Sequence, residues 1–78
     1  MITRVCDTAN PAIERDVEWR SDEVHPYAYL DGWLIRDAGI QGAFTQPCRG
    51  KTMMVGMIRH HGNLLSALSS LGWEPVDG

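Results

Sequence analysis

Four groups of side chains in this chain have types that chemistry uses: two cysteines, a histidine pair, a Gly-Lys-Thr triplet and a run of carboxylates. Cys6 and Cys48 are far apart, with no Cys-x-x-Cys spacing. A zinc site built from them and one or two histidines is arithmetically allowed but lacks the paired spacings that define such sites. Neither cysteine has a neighbouring base to make it a nucleophile. With a reducing compartment expected, two free thiols, at least one of them buried, are favoured over a disulfide. His60 and His61 are adjacent, so on a helix they point about 100° apart and do not chelate together. His61 falls among apolar positions and is expected as a partly buried core or interface residue. If buried neutral, it would lower stability when acid charges it. Gly50-Lys51-Thr52 invites comparison with a phosphate-binding loop, but the full pattern needs a glycine where Thr45 stands. A loop glycine and an element start explain the triplet. No metal, no cofactor and no catalytic constellation are expected.

The carboxylates are more informative. Net charge is −3, but residues 1–37 hold eight acidic against four basic side chains, whereas residues 38–78 hold two against three. Glu14, Asp16, Glu18, Asp22 and Glu23 form most of the acidic run. Its simplest explanation is a solvated face, and its functional one is a surface that meets a basic partner. Tyr27, Tyr29 and Arg36 join these as candidate partner-binding residues, because tyrosine and arginine are typical interface anchors. Met53, Met54 and Met57 are explained either as core filling or as an adaptable contact surface.

The elements that must position these residues follow from periodicity. Residues 2–6 suit a short edge strand, and Asp7–Pro11 is turn chemistry. Ile13, Val17 and Trp19 alternate with Glu14, Asp16, Glu18 and Arg20, which favours a half-buried strand over a helix capped by Asn10. Asp31-Gly32 between two apolar, aromatic-rich runs predicts a two-residue hairpin turn. That register pairs Tyr27 with Arg36, Ala28 with Ile35, Tyr29 with Leu34 and Leu30 with Trp33. Ala28, Leu30, Trp33 and Ile35 then face inward, and Tyr27, Tyr29, Leu34 and Arg36 form a partly open face. Residues 40–46 read as a strand with Ile40 and Phe44 inward, residues 47–50 as a loop, and residues 73–76 as a short last strand. Between them, Met53, Met54, Met57, Ile58, Leu64, Leu65, Leu68 and Leu71 share one arc of roughly 140°, which predicts a single amphipathic helix within the stretch 50–73, opened by Thr52 or Lys51 and ended by Gly72. The expected fold is α+β, a single small domain (1–78) with an antiparallel sheet of three to five strands and one long amphipathic helix on one face.

A domain of this size buries only about 60% of its unfolded surface, so a second copy or another partner would add useful stability, and a homodimer is one such expectation. No run of about 18 apolar residues exists, so no segment should span a membrane, and no membrane contact is expected. MITRVCDTANP has no apolar core of a secretory signal, which leaves the cytoplasm as the expected compartment. The functional expectation is a small non-enzymatic protein-binding module, an inhibitor or adaptor of phage or mobile-element type, setting its acidic face against a basic surface of another protein. The alternative is a small nucleic-acid-binding domain using Arg49, Lys51, Arg59 and His60. Overall acidity disfavours it, because phosphate binding rests on clustered Lys and Arg.

Overall fold

The computed structural model describes residues 1–21, 25–54 and 56–76. In chain order these form β1 (Ile2–Asp7), β2 (Glu14–Glu18), β3 (Arg20–Ser21), β4 (Pro26–Leu30), β5 (Trp33–Asp37), a 3-10 turn (Gly39–Gln41), β6 (Ala43–Arg49), β7 (Thr52–Met53), β8 (Arg59–His61), α1 (Leu64–Ser70) and β9 (Trp73–Pro75). Two antiparallel sheets result. One has three strands, ordered β2-β1-β9. The other has six, running β3-β4-β5-β6-β7 with β8 also on β6. Val5, Val17 and Trp73 from the first sheet meet Ala28, Leu30 and Ile35 from the second, with Leu68 of α1 in the same core.

The N-terminal half folds largely as its sequence reads, except that β1, expected at an edge, is the central strand because β9 pairs on its far side, and Ile13, expected inward, precedes β2 and is exposed. The Asp7 carboxylate accepts the N–H groups of Ala9 and Asn10 at 2.8 and 3.2 Å, which turns the chain back after β1. β2 then pairs along β1 from Cys6–Glu14 to Ile2–Glu18. Beyond Trp19 the chain changes sheets, and Arg20 pairs with Tyr27. At the next turn Asp31 and Gly32 both have positive φ, 46° and 82°, as the hairpin requires. The β4–β5 register is the one expected, from Tyr27–Arg36 to Leu30–Trp33. Ala28, Leu30 and Ile35 are buried, Trp33 is half-buried, and Leu34 on the opposite face is buried too rather than partly open.

The expected long helix does not form. Residues 50–73 instead make a hairpin, an excursion, a strand and a helix of seven residues, so the fold is two antiparallel sheets with one short helix, not one long helix on a sheet of three to five strands. The glycines explain why. Gly50 takes φ 63° in the turn between β6 and β7, and Gly56 takes φ 82°, both outside helical space. Helix formation begins only where Asn63, with extended backbone, accepts the N–H of Ser66 on its side chain at 2.8 Å. Leu64, Ala67, Leu68 and Leu71 then form a short inward stripe, and Gly72 ends the helix at φ 89° as expected.

Three further expectations change. β6 extends through Pro47 to Arg49, where a loop was expected. Ile40 is fully exposed at 106% on the 3-10 turn, and Phe44 is half-buried on the outer face. Parity explains Phe44: Ile35 faces the core and pairs with Thr45, so Phe44 points the other way.

Candidate partner-binding surfaces

On the three-stranded sheet, inward Val5 and Val17 fix which residues face out. Register then places Ile2 beside Glu18, Arg4 beside Asp16, and Cys6 between Glu14 and Glu74. The outer face therefore carries four carboxylates, Glu14, Asp16, Glu18 and Glu74, around Arg4. The Arg4 guanidinium donates to Glu14 through Nε at 2.8 Å and to Asp16 through an Nη at 3.0 Å. The hydrogen bond Arg4 donates to Glu14, with the charges of Glu14 and Asp16, raises the Arg4 pKa above its ordinary value. Glu74 is the member that sequence reasoning missed. It is fifty-six residues past Glu18 in the chain, and only the pairing of β9 with β1 brings it here.

Tyr27, Tyr29 and Arg36 leave the molecule from a different surface. Ala28 and Ile35 of the second sheet face the core, so these three residues lie on that sheet's outer face, away from Glu14, Asp16 and Glu18. A row crosses four strands there: Tyr27, Arg36, Phe44 and His60. The Arg36 guanidinium carbon sits 5.2 Å from the centre of the Tyr27 ring, and the Phe44 and His60 rings are 4.9 Å apart. Tyr27 and Tyr29 meet edge to face at 6.0 Å. The candidate residues thus divide between two faces separated by the core. Asp22 and Glu23 lie outside the described residues.

The remaining chemistry-bearing residues are dispersed. Cys6 and Cys48 are both buried, unbonded and on different sheets. Burial pushes both thiols above their ordinary pKa, and for Cys6 the nearby Glu74 pushes it further. Raised thiols stay protonated at neutral pH, so neither is a ready nucleophile or metal ligand. His61 Nε2 lies 2.8 Å from the hydroxyl of buried Thr45, and His60 Nε2 lies 2.8 Å from the Gln41 carbonyl. Each histidine thus has a local structural partner. Among the described residues no pocket forms, and no three His, Cys, Asp or Glu side chains gather as metal ligands would. No helix there is long and apolar enough to cross a membrane.

Arg49, Lys51, Arg59 and His60 surround the outer edge of β6. That edge is unusual. β7 pairs Met53 with Cys48, and β8 pairs Arg59 with Thr45, so the two strands follow the same edge end to end. Two residues of β6, Gln46 and Pro47, separate those pairs, whereas the facing chain has five, 54–58. The surplus makes this stretch an irregular excursion between two paired strands. Its base is tied by the Met54 N–H to the Pro47 carbonyl at 2.9 Å and by the Gln46 side-chain amide to the Met54 carbonyl at 3.1 Å.

The chain matches no family model, no curated protein and no solved structure.

Proposed function

We propose that this protein is a small non-enzymatic protein-binding module that sets the outer face of β1, β2 and β9 against a basic surface of another protein, as an inhibitor or adaptor does. The observation that supports this most is the clustering of Glu14, Asp16, Glu18 and Glu74 around Arg4 on one solvent-facing sheet surface. Arg4 neutralises part of that charge and holds Glu14 and Asp16 in place. Glu18 and Glu74 are exposed and available to a partner. Such a face steers a basic partner at long range and fixes its register on contact.

The test reverses the charge at Glu14, Asp16 and Glu18 to lysine and measures affinity for the captured partner at low and moderate salt. The proposal expects weaker binding and a flatter salt dependence. Unchanged affinity and salt slope would remove the acidic face from the interface.

A further inference from the structure

The excursion on the edge of the six-stranded sheet has the make-up of a membrane-surface contact. Met53, Met54, Met57 and Ile58 are 39, 47, 54 and 61% exposed, four large apolar side chains within six residues. In the expected helix they would have been buried. Here they are exposed, Met53 in β7 and Met54, Met57 and Ile58 where five residues face two of β6. Cations stand on both sides of it, Arg49 and Lys51 before and Arg59 after, all exposed. From Ala38 to Trp73 the sequence has no aspartate or glutamate. Among the described residues most of the acid is instead on β1, β2 and β9, the other sheet.

We propose that residues 49–54 and 56–59 dock on an anionic lipid surface, with Met54, Met57 and Ile58 entering the headgroup–acyl boundary and Arg49, Lys51 and Arg59 meeting lipid phosphates. Two features favour lipid, a deformable medium, over other occupants. Flexible methionines adapt to such a medium. Cations flank the apolar stretch on both sides, which is the composition that interfacial contacts use. Three cations beside an apolar stretch are few for a nucleic-acid backbone, where affinity scales with the number of phosphates neutralised. This proposal departs from the expectation of no membrane contact, which rested on the lack of a spanning segment. A surface contact needs no span. It stands apart from the acidic-face proposal, because it uses a different sheet and different residues.

The test is sedimentation of the full chain with vesicles of equal parts phosphatidylglycerol and phosphatidylcholine, and with phosphatidylcholine alone. Binding is expected to the anionic vesicles and to fall as salt rises from about 0.05 to about 0.5 M. Lys51→Gln and Arg59→Gln should each weaken it about fivefold. Met57→Asp with Ile58→Asp should abolish it while circular dichroism and the melting curve stay those of the parent. With Met57→Trp, brominated lipid should quench the new fluorescence. Three outcomes would overturn the proposal: no sedimentation with anionic vesicles, sedimentation unaffected by the double aspartate variant, or a concentration-dependent dimer that the same variant dissolves. The last would assign the excursion to a second copy of this chain. Salt-sensitive oligonucleotide binding in place of vesicle binding would likewise overturn it.

Discussion

The outer face of the three-stranded sheet and the outer edge of the six-stranded sheet handle exposure in opposite ways. Along β1 and β2, inward Val5 and Val17 alternate with outward Arg4, Asp16 and Glu18, the period two of a half-buried strand. Along β7 and β8, regular pairing stops after Met53 and resumes at Arg59, and Met54, Met57 and Ile58 between them are exposed. On the first sheet the exposed large apolar side chain is Ile2, at the end of β1, whereas on the second Met54, Met57 and Ile58 gather where pairing is interrupted.

The comparison breaks most visibly if exposed and buried apolar residues prove equally costly to change. Ile35→Ala, at a fully buried position in the core, should lower unfolding free energy by about 2–5 kcal/mol in a urea titration. Met57→Asp with Ile58→Asp should change it by no more than about 0.5 kcal/mol per site. A loss of several kcal/mol in the double variant would mean that the excursion is packed, and the contrast between the sheets would fail.

Gly42 offers the next test. It has φ 97°, and an added Cβ would collide with the His61 carbonyl and approach the His60 ring, where β8 lies against the start of β6. Gly39 on the same turn also has positive φ, 62°, but an added Cβ there meets nothing within 4 Å. Gly39→Ala should therefore show the backbone strain alone, about 1 kcal/mol. Gly42→Ala should cost about 2 kcal/mol more and loosen β8, seen as faster amide exchange at His61. Equal effects of the two substitutions would mean that β8 moves freely on its edge. Asn63→Ala, which removes the cap of α1, should cost about 1 kcal/mol by the same titration.

These residues also explain how far the sequence could be read. The β4–β5 hairpin was legible to the residue because Asp31-Gly32 fixes the turn, the turn fixes the register, and the register fixes the faces. β2 was legible from alternation, and the acidic face with it, apart from Glu74, whose place depends on long-range pairing. The stretch 50–73 was misread because an apolar repeat near 3.6 can be produced by chance across three separate elements. Gly50, Gly56 and Gly62-Asn63 were the signals against a continuous helix, and Asn63 before Leu64-Leu65-Ser66 was a start signal in its own right. Wheel phase ignores backbone cost, and here the glycines and the cap decided the outcome.

The smallest effect separates the sheets by their buried thiols, Cys6 on the first and Cys48 on the second. Both have pKa values raised above the ordinary 9.0 in the folded protein. Below pH 9 both states keep the proton, so the stabilisation is fully present. Above it the unfolded thiol ionises first, and stability falls as pH rises towards and through the folded value. Cys6→Ala and Cys48→Ala should each make that alkaline decline shallower, even if each also lowers stability at pH 7 through lost packing. Slopes, not absolute stabilities, are therefore the quantities to compare. Salt then separates the two sites. Desolvation is the largest cause at both, but only Cys6 has carboxylates adding to it, with Glu74 at 3.7 Å from its sulfur. Salt screens charges and not burial, so salt should narrow the slope difference between the parent and Cys6→Ala and leave that for Cys48→Ala unchanged. If salt narrowed both equally, carboxylates would be acting at both thiols, and the charge asymmetry between the sheets would not extend into their interiors.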